Sequence, residues 1–449
     1  MKQTGKIDMC NGPLLGKLIG FSVPLILSGI LQLLFNAADL AVVGRFAGET
    51  SLAAVGSTSS LVNLMVNVSM GLAVATNVLV ARFYGARKDK DVEEMVHTSI
   101  LAAIICGVLL IFVGFFFADP ILKWMGSPDD VRPLSVAYIR CYFIGMPASM
   151  IYNFGSGILR AIGDTKRPTI YITLAGILNF ALNLVFVLGF HLDAMGVGLA
   201  TGLSQFLAAG LILKALCSEE GSCKLELAKL RIVKDKMLKL LQVGIPAGMQ
   251  GTFFSFSNVV IQSSINSFGA VIMAGNTASM NIEGFVYTSM NAFHQTAVSF
   301  TSQNYGARKF DRIKKITWYC LGLVTAVGVV AGVGCYLLSP WLLQIYSSNA
   351  EVISYGILRM SIISVIYFMC GVMEVFVGVI RGLGHSVMPM IVSLLGSCVF
   401  RVVWIFTIFA SIRTLKCLYI SYPVSWLLTS AAHAVCLIYI MKRLKKSYS

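Results

Sequence analysis

The chain has 449 residues, of which 57% are hydrophobic and only 12% are charged. Soluble globular proteins carry about 25% charged residues, so this chain has too little charge to cover the surface of two or three soluble domains. Intrinsic disorder is also excluded, because it requires low hydrophobicity. A membrane-spanning helix needs about 20 apolar residues, and the composition therefore allows about twelve spans.

Apolar runs bounded by charged residues or by Gly and Pro predict an all-α membrane protein with twelve transmembrane helices. The runs fall at about 14–38, 52–80, 95–117, 134–159, 168–190, 195–217, 243–267, 271–300, 315–338, 354–380, 388–411 and 417–441. We number these predicted spans 1 to 12. Because twelve is an even number, both termini are expected on the same side of the membrane.

The basic residues indicate which side that is. Of the 35 Lys and Arg residues, 27 fall in the termini and in the connections on the terminal side, from Lys2 to Lys446. Positive residues are retained in the cytoplasm, so we predict cytoplasmic termini and a multi-pass protein of the cytoplasmic membrane. The net charge of +15 then reports topology and contact with membrane lipid rather than nucleic-acid binding, since no basic stripe is interleaved with aromatic residues.

The two halves of the chain are copies of one another. Residues 84–88 (YGARK) recur as residues 305–309, and Pro168 recurs as Pro389, each 221 residues later. This offset covers six predicted spans, so the halves are parallel repeats of a six-helix unit. We predict an N-terminal six-helix lobe at 1–217, a cytoplasmic linker at 218–240 and a C-terminal six-helix lobe at 241–449. Two similar lobes around a cavity are typical of alternating-access transporters.

Several motifs in their order along the chain resemble the multidrug and toxic compound extrusion (MATE) family of efflux antiporters. They are NAADLAVVG at 36–44, LRAIGDT at 159–165, MGVGLATG at 195–202 and QNYGA at 303–307. The branch that the chain resembles is that of the bacterial DNA-damage-inducible protein F. The resemblance implies a V-shaped arrangement of two six-helix lobes and coupling to an inward flow of protons or sodium ions.

Polar residues at membrane depth are costly and are the default functional candidates. Asp39 lies near the end of span 1 and shares a helix face with Gln32 and Asn36, while Asn179 and Asn183 are four residues apart on span 5. The resemblance implies that the span-1 aspartate takes part in cation coupling. Relatives often have a second aspartate where this chain has Asn183, which cannot titrate. We assign cation coupling to Asp39, Asn36, Asn179 and Asn183, with Asp39 and Asn179 as ligands if the ion is sodium.

A second set of polar or deformable side chains within the spans is expected to contact substrate. These are Gln32, Asn63, Asn67, Tyr152, Asn153, Gln250, Asn258, Gln262, Glu283, Met373 and Glu374. For each of them, packing between helices is the competing interpretation. Arg401 on span 11 offers a specific alternative for the two glutamates, because pairing with Arg401 would make one of them structural.

The sequence therefore predicts a monomeric antiporter that exports organic cations, drugs or other amphipathic toxins, using a proton or sodium gradient. We expect neither an enzyme nor a bound cofactor, because there is no phosphate-binding GxxxxGK[ST] motif and no paired metal-ligand spacing. Two alternatives stay open. One is a lipid-linked sugar flippase of the same superfamily, which requires a more cationic cavity. The other is a non-transporting membrane receptor, which large soluble loops would favour.

Overall fold

A computed structural model describes residues 5–124, 129 and 131–448, so that Lys2 of the basic N-terminus lies outside the described residues. Within these residues the protein is helical and has no β-strand. The all-α fold class is confirmed. The chain divides into two compact units, one formed by residues 1–8 and 27–245 and the other by residues 9–26 and 246–449.

The helices follow the predicted spans closely. In the first half of the chain they are α1 Leu14–Val42, α2 Gly48–Gly85, α3 Asp89–Trp124, α4 Arg132–Ile144, α5 Met146–Ala161, α6 Lys166–Leu184 and α7 Asp193–Cys217. In the second half they are α8 Lys234–Asn266, α9 Ala270–Gly306, α10 Phe310–Leu337, α11 Ser339–Gln344, α12 Ala350–Ile362, α13 Phe368–Gly382, α14 Val387–Ser393, α15 Phe400–Trp404 and α16 Leu415–Tyr448.

Eight helices of the described chain are long and apolar enough to cross a membrane, or ten if each of two bent pairs is one span. The bent pairs are α4 with α5, at 44°, and α12 with α13, at 43°. Predicted spans 7 and 8 correspond to α8 and α9, which are long enough but interrupted by polar residues such as Gln250 and Glu283. The protein is thus a multi-pass membrane protein, and the count of twelve spans stays a prediction.

Wide π-helical turns interrupt three of the spans. One turn, Val43–Ala47, follows α1, and another, Val185–Gly189, follows α6. Two more, Leu394–Val399 and Ile405–Phe409, lie on either side of α15. Such turns are rare and often mark functional sites. The turns after α6 and after α15 occupy equivalent positions in the two sequence repeats, so the duplication extends to local backbone irregularities.

The first helix contributes to both compact units. In the second unit, the Ser22 hydroxyl lies 2.8 Å from the Thr296 hydroxyl of α9, and the Phe21 ring meets the Phe300 ring edge-on. From Leu27 onward α1 belongs to the first unit. The sequence prediction placed the whole of span 1 in the N-terminal lobe. The apolar pattern of one helix does not show that its two halves pack against different units.

Residues 218–233, in the predicted linker, pack against the first unit. The Glu219 carboxylate accepts from both Lys6 and Arg167, and the Glu226 backbone N–H donates to His97 Nε2 of α3 at 3.1 Å. At the start of α8, Lys236 pairs with Asp91. Charged contacts at several points therefore hold this connection on the surface of one unit.

Close helix packing in the second unit depends on glycine. A Cβ atom on Gly332 of α10 would lie 2.2 Å from the Ser364 carbonyl oxygen, whereas a Cβ on Gly334 of the same helix would meet no atom within 4 Å. We expect Gly332→Ala to lower the free energy of unfolding by about 1–3 kcal/mol because the backbones must separate. Gly334→Ala is the matched control and should be neutral or slightly stabilising.

Thermal unfolding of the two purified variants in detergent measures the difference. An equal midpoint for Gly332→Ala and Gly334→Ala would contradict this packing of α10 against the segment that contains Ser364.

Candidate functional site

The first unit brings the predicted cation-coupling residues together at the ends of two helices. Asp39 lies one turn before the end of α1, and Asn179 and Asn183 lie on the last turns of α6. The Asn183 side-chain amide donates to Asp39 Oδ1. Both asparagines are buried, at 5% and 0% exposure respectively. The i, i+4 spacing on α6 thus directs two amides toward one carboxylate, as the shared helix face predicts.

The orientation of the Asn179 amide follows from its neighbours. One terminal atom lies 2.8 Å from Asp39 Oδ1 and the other lies 3.2 Å from the Thr201 hydroxyl of α7. Because an ionised carboxylate can only accept hydrogen bonds, the amide nitrogen belongs on the side of Asp39. Asp39 therefore accepts from two neutral amides, and the Asn179 oxygen faces Thr201.

Asp39 has no cationic partner within ion-pair distance in the part of the chain that the structure describes. Its buried neighbour Asn183 has a side-chain oxygen, Oδ1, without any hydrogen-bond donor there. An unpartnered buried acceptor beside a carboxylate is costly unless a donor or a cation satisfies it. Hard cations prefer carboxylate and amide oxygens, so the donor set fits sodium as well as a proton.

The Asp39 carboxylate faces a cavity of about 530 Å³ within the first unit. This volume lies in the range of pockets that hold drug-sized molecules. Seven of the predicted residues line it. They are Gln32, Asn36, Asp39, Asn63, Tyr152, Asn153 and Asn179. The cavity therefore joins one acidic group to a ring of neutral polar and apolar side chains.

Further lining residues were not among the predicted site residues. They include Tyr138 and Tyr142 of α4 and Thr201, Ser204 and Gln205 of α7. The two tyrosines are four residues apart, and the α7 residues lie in or directly after the glycine-rich motif at 195–202. Both signals are present in the sequence. Thr201 and Ser204 do not stand out in the sequence as site residues, because the hydroxyl of each can bond a backbone carbonyl one turn back in its own helix, to Val197 and Thr201 respectively.

The remaining predicted substrate residues do not line this cavity. Asn67 lies on α2 in the first unit, and the others belong to the second unit. These are Gln250, Asn258, Gln262, Glu283, Met373 and Glu374. Asn258 is exposed on α8, while the Met373 sulfur lies 3.7 Å from the Ser397 hydroxyl. Their assignment to substrate binding stays a prediction.

Glu283 forms a buried ion pair with an arginine other than Arg401. Arg359 Nη2 lies 2.8 Å from Glu283 Oε2, and Arg359 Nη1 donates to Asn276 at 2.8 Å. Asn276 in turn donates to Gln262 Oε1 at 3.1 Å. Glu283 and Arg359 are each 3% exposed. The suggestion that Arg401 neutralises Glu283 is wrong, because the bend between α12 and α13 leaves Arg359 at the end of α12, against α9.

Glu374 and Gln250 each have buried polar partners in the second unit. His294 Nδ1 lies 2.8 Å from the Glu374 carbonyl oxygen and 3.3 Å from its carboxylate. Gln250 accepts from Arg381 at 2.8 Å and donates to the Ser393 hydroxyl at 3.2 Å. These contacts give both predicted residues clear structural partners inside the second unit.

The MatE family model matches residues 24–185 and again residues 246–407. The chain belongs to the MatE family. These are the MATE transporters, a family of transporters rather than enzymes, and the double match agrees with the internal duplication. Membership of the branch that resembles DNA-damage-inducible protein F stays a prediction.

Curated relatives of this MATE protein are similar over most of their length. The probable multidrug resistance protein YoeA of Bacillus subtilis is 26% identical, covering 83% of this chain and 82% of the relative. The probable multidrug resistance protein YpnP of the same organism is also 26% identical, covering 88% of each. A multidrug resistance MATE family transporter solved in an outward-facing conformation shares the fold, with a TM-score of 0.92 at 21% identity, over 99% of this chain and all of that one.

The size of the cavity depends on Gly176 of α6. A Cβ atom there would lie 2.0 Å from the Phe35 ring, which lines the cavity. We expect Gly176→Ala to displace this ring and to weaken the binding of a rhodamine-sized cationic dye by about tenfold, the effect of about 1.4 kcal/mol. Fluorescence polarisation of the dye with purified protein measures the affinity.

Gly210→Ala on α7 is the control, because a Cβ at Gly210 meets no atom within 4 Å. Dye affinities that are equal in the two variants would contradict the assignment of this cavity as the dye site.

Proposed function

We propose that this MATE protein exports organic cations, drugs or other amphipathic toxins in exchange for protons or sodium ions. The observation that carries the proposal is Asp39, a carboxylate that faces a drug-sized cavity and is held by neutral amides, with no cationic partner among the residues that the structure describes. A lone negative charge of this kind attracts any cation that reaches it. The names of the relatives, probable multidrug resistance proteins, support the same class of substrate.

Exchange follows if one negative charge serves two cations in turn. An organic cation in the cavity and an inorganic cation at Asp39 would compete for the same carboxylate, because each neutralises it. The two asparagines keep the carboxylate oriented in both states, since their amides donate without adding charge. Linkage then requires that each cation lowers the affinity for the other, and alternating access converts this competition into counter-transport.

We further propose that the protein works as a monomer in the cytoplasmic membrane with both termini in the cytoplasm. The positive-inside distribution of Lys and Arg supports this orientation. A gradient rather than ATP would supply the energy, because the sequence has no phosphate-binding loop of the P-loop type.

Transport by proteoliposomes tests the exchange directly. With a cationic dye inside and either a proton or a sodium gradient imposed, we expect dye efflux with at least one of the two gradients. Asp39→Asn should reduce the gradient-driven rate by about tenfold or more, because the loss of an interaction with a charged group costs about 1.5–3 kcal/mol.

Asp193→Asn is the matched control. Asp193 is exposed at the start of α7, and its positive φ of 47° is one that asparagine adopts readily. If neither gradient moves dye, or if Asp39→Asn transports as fast as Asp193→Asn, the exchange mechanism is wrong.

The unpartnered oxygen of Asn183 predicts how the site responds to sodium. We expect sodium, compared with choline, to raise the unfolding midpoint of the wild-type protein, because a bound ligand stabilises the folded state. Asn183→Ala should raise the sodium concentration needed for this effect by about tenfold or more, since it removes one oxygen ligand.

Thermal unfolding over a range of sodium concentrations at constant ionic strength measures the shift, with Asn67→Ala as the control on α2. A wild-type protein that shows no sodium effect would exclude sodium and leave the proton as the exchanged ion.

A further inference from the structure

Arg401 is a buried cation without a counter-charge. It lies on α15 in the second unit and is 3% exposed. Its Nε atom donates to the Ser425 hydroxyl at 2.8 Å, while its Nη2 atom has no hydrogen-bond partner in the described part of the chain. No carboxylate of the described residues lies within ion-pair distance of it. The guanidinium therefore retains an unused donor and an uncompensated positive charge.

Arg359, another buried arginine of the second unit, differs in this respect. Arg381 resembles Arg401, because no carboxylate of the described residues lies within ion-pair distance of it and its buried Nε atom has no hydrogen-bond partner there. Arg359 is paired with Glu283, and Arg381 donates to the Gln250 side-chain oxygen. A buried ion costs several kcal/mol unless charge and hydrogen bonds compensate it. Arg401 obtains part of that compensation from aromatic rings, which attract cations through their electron-rich faces.

Those rings form a wall beside the guanidinium. The Arg401 Cζ atom lies 4.3 Å from the centre of the Tyr422 ring and 5.7 Å from that of Trp426, and the Tyr367 ring packs on Trp426 at 5.2 Å. Arginine next to stacked aromatic side chains is a combination suited to planar anions, because the cation binds the charge and the rings cover the flat surface.

The sequence repeat relates this cluster to the cavity of the first unit. At the offset of 221 residues, Thr201, Ser204 and Gln205 of α7 correspond to Tyr422, Ser425 and Trp426 of α16. The three α7 residues line the cavity that Asp39 faces. The burial pattern supports this alignment of α7 with α16, because ten positions are buried in both at the same offset. They are 194, 196, 197, 198, 200, 204, 208, 209, 212 and 216 in the first repeat and 415, 417, 418, 419, 421, 425, 429, 430, 433 and 437 in the second.

Span 11 has the same local backbone feature as span 5. Asn179 and Asn183 precede the π turn Val185–Gly189, and Arg401 precedes the equivalent turn Ile405–Phe409. The two charges themselves are not at equivalent positions, because Asp39 corresponds to Val260 and Arg401 to Phe180. The first unit has an acid with amides, and the second has an arginine with aromatic rings.

We propose that Arg401, Tyr422 and Trp426 form a binding site for the anionic group of a planar aromatic molecule, such as an aromatic carboxylate. The anion accepts a hydrogen bond from Arg401 Nη2 and balances the buried charge, while its ring packs against Tyr422 and Trp426. Access to the buried guanidinium requires span 11 to move, and the two π turns that flank α15 are the irregular points of that span. The site does not depend on the exchange mechanism proposed above.

Calorimetric titration of the purified full-length protein in lipid nanodiscs tests the proposal without any gradient. The probe is 2-naphthoate, with the neutral 2-naphthamide as its matched analogue. We expect saturable binding of naphthoate and binding of naphthamide that is about tenfold weaker or more, because only the carboxylate offers a charged acceptor. If the wild-type protein binds naphthamide as tightly as naphthoate, this result overturns the proposal without any variant.

Variants locate the site. Arg401→Gln should weaken naphthoate binding by about tenfold or more and leave naphthamide binding unchanged, whereas Arg413→Gln, at an exposed position after span 11, should change neither. Naphthoate binding that survives Arg401→Gln would contradict the assignment. If Arg401→Gln does not fold, Trp426→Phe serves instead. Naphthoate should change the tryptophan fluorescence of the wild-type protein, and most of that change should be absent in Trp426→Phe.

Discussion

A charge at membrane depth is costly unless an opposite charge or hydrogen bonds compensate it, and the buried charges of this protein are compensated to different extents. Glu283 and Arg359 neutralise one another in a fully buried pair. Among the described residues, Asp39 is held by the amides of Asn179 and Asn183 alone, and Arg401 has a hydroxyl and aromatic rings as neighbours. The paired charges are structural, because removing either partner leaves an uncompensated ion. A charged ligand gains the most binding free energy at the unpaired charges, because it supplies the missing counter-charge.

The internal duplication accounts for the similar backbone of the two units. The two repeats have bent helix pairs and π turns in equivalent places, so the backbone provides the same irregularities twice. Side chains at those places have diverged in charge. Asp39 of the first repeat corresponds to Val260 of the second, and Arg401 of the second corresponds to Phe180 of the first, although α7 and α16 have kept a similar pattern of burial. A transporter built in this way can present different chemistry from its two units without altering the fold.

Much of this could be predicted from the sequence. Apolar runs located the helices, the offset of 221 residues identified the repeat, and helical spacing placed Asn179 and Asn183 on one face of span 5. The resemblance to the MATE family implied that this position and Asp39 belong to one coupling site. The prediction failed for contacts that depend on tertiary structure. The pairing of Glu283 with Arg359 joins residues 76 positions apart across a bend between helices. The division of α1 between two units, and the hydroxyl groups of Tyr138 and Thr201 in the cavity, likewise depend on how helices pack.

The central claim is that one carboxylate serves both the exported cation and the coupling cation. Equilibrium binding of a cationic dye over a range of proton and sodium concentrations tests it most directly, because competition requires no membrane gradient. The account predicts that dye affinity falls as protons or sodium ions increase in the wild-type protein, and that it no longer depends on either ion in Asp39→Asn. A dye affinity that is independent of both ions in the wild type, or equally dependent in the variant, would contradict it.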